Sequence, residues 1–268
     1  MKKNKLGVTY TLFSGEELLK SSILSIRDEV DYINVVWQKY SWTGTKAADN
    51  VEELLNNLLR DGLIDNVIEF KFDIPKTEKE SSKVIYKKQN IGVKDLKRAG
   101  CTHAMLMDVD EFYYKDEFRR AKEFVYKNHI THSACSIYDY FVSPLYRKRD
   151  ADDYAVPFIF KLTFLSKVIG FSGMPCMVAN CRAFPFIPVL HKFYYLNTVS
   201  LRHMTGIRKD YNKKMEASMS NFNEQGRKMV EKYSELQKNM EMMSEEEILA
   251  QGYIKLEDDF GILEEWDL

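Results

Sequence analysis

The sequence has little cysteine, and none of it in a spacing typical of metal binding. Its four cysteines are Cys101, Cys135, Cys176 and Cys181, and no pair has the CxxC spacing of a structural zinc site. So sparse a set predicts reduced thiols, as in a cytoplasmic protein. No apolar run approaches the roughly 20 residues of a membrane-spanning helix. The short apolar segment after the charged start predicts a first strand and not a signal peptide.

An excess of charge of either sign is also missing. The chain carries 39 Lys and Arg against 40 Asp and Glu, a net charge of −1. A global attraction to nucleic acid or to an anionic membrane is therefore not expected, although local basic patches are compatible with this balance. With 45% hydrophobic and 29% charged residues among 268, the composition is typical of a globular protein that can bury a sizeable core.

The first 115 residues alternate between two kinds of apolar pattern. Strand-like segments occupy 5–13, 30–41, 66–72 and 102–112, and segments with helical spacing occupy 14–30, 49–62 and 82–100. Strands that alternate with helices in this way predict βαβ units. We therefore expect an α/β fold with a mostly parallel central sheet flanked by helices.

Local signals predict where these helices begin and end. Ser14 is expected to cap the first helix, with Glu17 completing a capping box. Asp49 and Gly62 are expected at the start and the end of the second helix. The third helix is expected to break or to begin afresh over residues 90–92.

The second half of the chain is less regular. Five of the six prolines fall within residues 144–200, which predicts short strands and loops. A helical region rich in methionine and charge follows, and then an acidic end. Because no linker stands out, we expect one domain over 1–222, made of two halves (1–115 and 116–222), with a helical C-terminal extension and acidic tail over 223–268.

Three carboxylates follow an apolar strand in "MLMDVDEFYY" (105–114). In an extended segment, Asp108 and Asp110 point to the same side. Two carboxylates so close together raise each other's pKa or bind a cation, and their hard oxygen atoms suit Mg²⁺ or Mn²⁺. In parallel sheets, ligands bind at the carboxyl ends of the strands. The motif therefore predicts a divalent metal ion that leaves positions open for substrate phosphates.

The segment "MLMDVDEFY" resembles the DxD motif of nucleotide-sugar-dependent glycosyltransferases of the GT-A fold, in particular bacterial family-2-like members with Asp-x-Asp-Glu-Phe. Three further segments are similar to that family: "LFSGEELLKSSILSIRDEVDYINVV", "YKKQNIGVKDLKRAGCTHAMLMDVDEF" and "LRHMTGIRKDYNKKMEASMSN". The resemblance covers about residues 5–115 and 200–222. It implies a Rossmann-like GT-A sheet and transfer of a sugar from a nucleotide-diphosphate donor, with UDP as the expected nucleotide, to a hydroxyl acceptor.

The resemblance also implies roles for individual residues. Asp110 is the expected direct metal ligand, Asp108 touches the metal ion or the ribose, and His203 completes the metal shell. Arg208 and Lys209 are expected to clamp the diphosphate, since a guanidinium can bind phosphate in bidentate fashion. The residues expected around the donor nucleoside are Phe13, Ser14, Glu16, Gln38, Lys88 and Asn90.

An inverting transferase needs a carboxylate as general base near the acceptor hydroxyl. Asp139 and Glu111 are the expected catalytic residues, with the acidic loop at 150–153 as a further source. Similarity to the family-2-like enzymes favours inversion. The acceptor stays open between a glycan, another hydroxyl compound and a modified nucleic-acid base.

Three other classes of protein share part of this sequence pattern. A haloacid-dehalogenase-like phosphatase would use Asp108 as nucleophile, but its motif expects a different sequence after DxD and stands near the N-terminus. A sugar nucleotidyltransferase would need a basic, glycine-rich loop after the first strand, and "LFSGEE" has none. A non-catalytic GT-A module that binds glycan or nucleotide is the third, and it would not need the retained Asp110, His203 and Arg208.

Overall fold

The computed structural model describes residues 4–170, 173–178, 182–216 and 224–266. Cys181 lies outside the described residues, and so does the predicted helical segment 217–223. Within the described chain, ten strands form one sheet. They are β1 (Leu6–Leu12), β2 (Tyr32–Trp37), β3 (Asn66–Glu69), β4 (His103–Asp108), β5 (Glu111–Phe112), β6 (His132–Phe141), β7 (Tyr146–Lys148), β8 (Ala155–Lys161), β9 (Phe193–Gly206) and β10 (Tyr253–Lys255).

Helices cover the sheet and extend its C-terminal side. They are α1 (Glu16–Ile26), α2 (Val51–Arg60), α3 (Glu78–Arg98), α4 (Lys115–Lys127), α5 (Tyr211–Glu216), α6 (Glu224–Glu241), α7 (Glu245–Ala250) and α8 (Ile262–Trp266). A short 3₁₀ turn over Arg27–Glu29 joins α1 to β2. Among the described residues, no helix combines the length and the apolar character needed to cross a membrane.

The first four strands are parallel, in the order β3-β2-β1-β4. β8 continues the sheet antiparallel to β4, and β6 lies beyond β8 and pairs with β9 in parallel. This arrangement confirms the predicted α/β class with a central sheet flanked by helices. It also brings the carboxyl ends of β1, β2 and β4 to one edge, where ligands bind in such sheets.

The core lies between the sheet and the helices. β1 is buried along almost its whole length, as expected for a strand covered on both faces. Leu19, Ile23 and Ile26 of α1 are fully buried against it. Each such side chain contributes roughly 1.5–3 kcal/mol by leaving water.

The third helix is continuous, so the predicted break at residues 90–92 is wrong. A Cβ atom at Gly92 would lie 2.2 Å from the Thr9 side chain of β1. Gly92 is therefore a close-packing position that lets α3 lie against the sheet. Glycine inside a helix costs about 1 kcal/mol relative to alanine, which the close contact offsets.

Two predicted helix caps are also wrong. Gly15, and not Ser14, stands at the N-cap of α1, and no side chain caps that helix. Asn50 precedes α2, again without a capping side chain, while Asp49 pairs with Lys46. Gly62 does follow the end of α2, with a positive φ of 70°.

The C-terminal segment packs onto the sheet rather than extending from it. β10 pairs antiparallel with β7, and Ile262 of α8 joins a buried cluster with Leu18 and Phe112. The predicted domain boundary at 222/223 falls at the undescribed segment 217–223 and stays a prediction.

Candidate functional site

The three carboxylates of the DVDE segment lie at the carboxyl edge of the parallel strands. Asp108 is the last residue of β4 and stands beside Thr11 of β1 in the parallel register. The Thr11 hydroxyl donates a hydrogen bond to Asp108 Oδ1. The Asp108 side chain remains 40% exposed, so this carboxylate faces the open side of the edge.

Asp110 is buried, with 1% of its side chain exposed. Its Oδ2 atom lies 2.8 Å from Arg208 Nη2, 3.0 Å from Arg208 Nε and 2.9 Å from Lys214 Nζ. Burial alone would raise the pKa of Asp110, but the Arg208 and Lys214 charges hold it well below the usual range. Asp110 is thus an ionised carboxylate that is kept buried by two cations of the protein.

Glu111 has a cation of its own. Its Oε1 atom accepts a short, charge-assisted hydrogen bond from Arg182 Nη1. Its Oε2 atom accepts from the Asp108 backbone N–H at 3.0 Å. Both carboxylate oxygens therefore contact protein groups that hold the motif in place, and the catalytic role expected for Glu111 stays a prediction.

His203 stands between two acidic residues of the sheet. It is paired in register with Glu111 of β5 on one side and with Asp139 of β6 on the other. His203 Nδ1 lies 2.8 Å from Asp139 Oδ1, and Nε2 lies 3.7 Å from Asp110 Oδ2. Burial would raise the pKa of Asp139, but the hydrogen bond from His203 and the nearby Lys148 lower it overall. Asp139 is thus ionised and accepts a hydrogen bond from Nδ1–H of His203. In a neutral imidazole with its proton on Nδ1, the Nε2 atom that faces Asp110 would be unprotonated.

Gly15 allows Arg208 to enter the site. Arg208 Nη1 donates to the Ser14 carbonyl at 2.6 Å and contacts Ser14 Oγ at 3.2 Å. Gly15 has a φ of 81°, and a Cβ atom there would lie 2.5 Å from the same Nη1 atom. The predicted site residues Ser14 and Arg208 are therefore in contact, and Gly15 is required both by its backbone conformation and by the space that Arg208 fills.

Lys88 and Gln38 form a buried polar pair below the ends of β1 and β2. Lys88 Nζ donates to the Leu12 carbonyl at 2.9 Å and to Gln38 Oε1 at 3.0 Å. Burial lowers the pKa of Lys88 to about 7. Lys88 and Gln38, two of the residues predicted to bind the donor, thus lie together at the carboxyl edge of the sheet. The hydrogen bonds of Lys88 there are to protein atoms.

Phe13 and Glu16 lie beside the same edge, at the start of α1. Phe13 is partly buried against the main core. Burial raises the pKa of Glu16. Both stay candidates for donor contact.

Asn90 and Lys209 are engaged elsewhere. The Asn90 amide donates to the carbonyls of Tyr86 and Val168 and accepts from the Val168 N–H, so it fastens a loop to α3. The Lys209 ammonium lies over the Trp266 ring, 5.2 Å from its centroid. The basic side chain that reaches Asp110 beside Arg208 is Lys214 and not Lys209.

A cavity of about 370 Å³ is lined by His203 and Lys214, two of the residues that surround Asp110. Its polar lining includes Asp139, Asp152, Lys148, Arg182, His203 and Lys214. Its remaining surface is mainly apolar and aromatic, with Phe141, Tyr154, Tyr211 and Tyr253. Such a cavity, mostly apolar with a few converging polar groups, is typical of a small-molecule site.

The acidic residues and His203 fit a metal ion only in part. Among the described residues, no group of three or more His, Cys, Asp or Glu side chains converges in a way that could hold one. Asp110 Oδ1 is nevertheless buried without a hydrogen bond. His203 Nε2 lies 3.7 Å from the other oxygen of the same carboxylate, and a neutral imidazole with its proton on Nδ1 can offer Nε2 as a ligand. These atoms fit an ion that takes two ligands from the protein and the others from substrate phosphate and water, as Mg²⁺ often does.

The sequence did not single out two of the cations in the site. Arg182 comes from an irregular segment 71 residues after its partner Glu111, and no local pattern marks it. Lys214 ends the basic run "IRKDYNKK", in which the sequence singled out only Arg208 and Lys209. Its helical position in α5 brings it to Asp110.

Comparison with known proteins gives a limited likeness. No protein-family model matches the chain, and no curated protein matches it. Among solved structures, S. aureus TarS is similar at 15% identity with a TM-score of 0.36, over 50% of this chain and 22% of TarS. TarS 1–349 in complex with UDP is similar at 15% identity and a TM-score of 0.38, over 51% of this chain and 36% of that one. TarS 1–349 in complex with UDP-GlcNAc gives 14% and 0.37, over 51% and 35%. The likeness therefore spans about half of this chain, 22% of the TarS chain and 35–36% of TarS 1–349.

Proposed function

We propose that the chain is a glycosyltransferase that moves a sugar from a nucleotide-diphosphate donor, a UDP-sugar in the first instance, to a hydroxyl group. The observation that carries the proposal is the buried Asp110 at the carboxyl end of β4. It is surrounded by Arg208, Lys214 and His203 and adjoins a cavity of about 370 Å³.

The charges of the site support a diphosphate ligand with a divalent ion. Three carboxylates (Asp108, Asp110 and Glu111) are set against three cations (Arg182, Arg208 and Lys214) within hydrogen-bond or ion-pair distance. This cluster is nearly neutral and therefore attracts a diphosphate only weakly by itself. A divalent ion would make it positive, while Arg208 and Lys214 would remain as donors for phosphate oxygens.

We propose that Mg²⁺ or Mn²⁺ is held by Asp110 Oδ1 and His203 Nε2. When bound, the ion would supply positive charge to the diphosphate leaving group. Asp139 orients the imidazole through Nδ1, the arrangement in which a carboxylate fixes the tautomer of a metal-binding histidine. Asp108 is the more exposed carboxylate and is left to contact the ribose.

The proposed transfer is a direct displacement with inversion. The acceptor oxygen bonds to the anomeric carbon as the bond from that carbon to the diphosphate breaks, and the acceptor proton passes to a carboxylate. Asp139 is the proposed base because it is ionised and lines the cavity. Asp152 is the second carboxylate that lines the cavity, whereas Glu111 is buried beside Arg182 and does not line it.

The proposal is tested by thermal shift with a panel of nucleoside diphosphates, each with and without Mn²⁺. We expect UDP to stabilise the protein when Mn²⁺ is present and His203→Gln to weaken that response at least tenfold. His191→Gln, at the other edge of the sheet, is the matched control and should behave like the parent protein. Stabilisation by UDP without metal would remove the ion from the proposal, and no shift with any nucleoside diphosphate would overturn it.

Two substitutions at Asp139 separate its proposed roles. Asparagine retains an oxygen that accepts the His203 Nδ1 proton, so Asp139→Asn should keep Mn²⁺-dependent UDP binding while losing transfer. Alanine removes both functions and should weaken both readouts. If Asp139→Asn transfers sugar normally and Asp152→Asn does not, Asp152 is the base.

A further inference from the structure

Two loops at the opposite edge of the sheet expose large apolar side chains. Phe164 is 88% exposed and Leu165 75% exposed in the loop after β8. Val189 is 88% exposed and Leu190 71% exposed in the loop before β9. Single exposed apolar residues are ordinary on a protein surface, but a group of them marks an interaction site.

The two loops face each other across a groove of about 410 Å³. Phe164 and Leu165 line it on one side, and Ile187 and Leu190 line it on the other. Three of the exposed side chains thus line one groove, and Val189 is exposed next to Leu190 in the same loop. We call these four residues the apolar edge (Phe164, Leu165, Val189 and Leu190).

The apolar edge is held in place by the helix behind it. Lys97 Nζ of α3 donates to the Ser166 carbonyl at 2.6 Å and to the Phe164 carbonyl at 3.2 Å. Asn90 of α3 binds Val168 through both atoms of its amide. The loop tip after β8 is therefore presented to solvent by a fixed backbone.

The surroundings of the apolar edge carry charge of one sign. The stretch 161–192, which contains both loops, has no Asp or Glu, and its basic residues are Lys161, Lys167, Lys192 and Arg182, the last of which is paired with Glu111 at the other edge. Lys161, Lys167 and Lys192 are exposed beside the two loops, and in the described part of the chain none of the three is paired with a carboxylate. This local excess stands out in a chain whose net charge is −1.

We propose that the apolar edge docks on the surface of an anionic lipid bilayer. The four apolar side chains would enter the interfacial region, and the three lysines would meet the headgroups. Affinity of this kind comes from buried apolar area together with attraction between basic residues and acidic lipids. A second copy of the chain fits poorly, because two such edges would bring their unpaired lysines together.

This orientation has a consequence for the candidate site. His103, at the start of β4, is paired with Lys161 at the end of β8, whereas Asp108 ends β4 at the other edge. The six residues of β4 separate the two edges by about 17–20 Å. The cavity beside Asp110 would face away from the bilayer, towards acceptors in the aqueous phase.

The test is flotation of the full chain with two kinds of vesicle. One kind is phosphatidylcholine alone, and the other contains about 30% phosphatidylglycerol as the anionic lipid. We expect binding to the anionic vesicles only, weakening as salt is raised. Leu165→Ser combined with Leu190→Ser should weaken binding at least tenfold, and Lys161→Glu with Lys192→Glu at least as much. Leu24→Ser, a half-exposed leucine on α1, is the control and should bind like the parent.

The opposite results are equally clear. Absence of the parent protein from the floated anionic vesicles would overturn the proposal, as would unchanged binding by both double variants. A dimer in light scattering that the Leu165→Ser and Leu190→Ser pair dissociates would assign the apolar edge to self-association instead. Circular dichroism of each variant checks that it is folded.

Discussion

The two edges of the central sheet differ in the groups that they bury and expose. At the carboxyl edge, Asp110 and Glu111 are charged groups removed from water and paired with Arg208, Lys214 and Arg182. At the amino edge, Phe164 and Leu190 are apolar groups left in water. Each arrangement is costly for a folded chain by itself. The comparison supports the two proposals, a nucleotide-diphosphate donor at the carboxyl edge and a lipid surface at the amino edge, since neither arrangement is what stability alone would favour.

The comparison predicts its largest effect at Asp110. Asp110→Asn leaves Arg208 and Lys214 without their buried counter-charge, which should cost about 3–5 kcal/mol of unfolding free energy. Asp108→Asn, at the more exposed carboxylate of the same motif, should cost about 1 kcal/mol or less. Urea denaturation at pH 7 measures both. Equal costs would mean that Asp110 is not held by buried ion pairs.

A somewhat smaller effect is expected at Glu111. Glu111→Gln removes the charge facing Arg182 but keeps the shape, and it should cost about 3 kcal/mol because Arg182 remains buried. Glu245→Gln, which breaks the exposed pair with Lys255, is the control and should cost much less, because water screens that pair. Denaturation curves that ranked the two variants in the reverse order would contradict the buried arrangement.

Lys88 should make stability depend on pH. Its pKa is lowered to about 7 by burial, while the unfolded value is near 10.4. Below pH 7, burying the charged ammonium lowers the free energy of unfolding by its full amount. As pH rises from 7 towards 10, the folded protein releases the proton while the unfolded chain keeps it, so the free energy of unfolding rises. The parent should therefore gain on the order of 2 kcal/mol relative to Lys88→Met between pH 7 and 9. Parallel denaturation of the two proteins measures this, and a constant difference would show that Lys88 does not titrate there.

The smallest effect is expected at the apolar edge. Phe164→Ala should change the unfolding free energy by less than about 0.5 kcal/mol because the ring contacts mostly water. Phe160→Ala, in the buried strand β8, should cost about 3–5 kcal/mol. Thermal unfolding of the two variants compares an exposed phenylalanine with a buried one four residues away. A large loss at Phe164 would mean that this ring packs inside the fold.

The parallel half of the fold was predictable because its signals are local. Continuous apolar runs fit strands buried on both faces, and helical spacing marks α1 and α2 between them. The position of Asp108 and Asp110 followed from the same pattern, since parallel strands end at one edge. The register that places Asp139 next to His203 was not visible, because β6 and β9 are separated by a long irregular segment.

The errors arose where distant contacts outweigh local preferences. Ser14 has the chemistry of an N-cap, but its oxygens face Arg208, which lies 194 residues away. The diphosphate contact expected for Lys209 stays a prediction, but the lysine that reaches Asp110 is Lys214, because α5 begins between the two and places the later one at the site. Gly92 suggested a helix break, but its missing side chain serves the contact with Thr9.

Strand β9 also determines where the chain tolerates a change of length. Its pairing with β6 passes from Cys135–Leu196 directly to Ser136–Ser200, so residues 197–199 bulge out of the ladder. An added residue in this bulge would alter only the bulge itself. The same addition between Leu201 and His203 would turn the imidazole to the opposite face of the sheet, since side chains alternate along a strand. A change of chain length at the bulge therefore leaves the position of His203 unchanged. In related or engineered sequences, the bulge can vary in length while His203 keeps its place in the sheet.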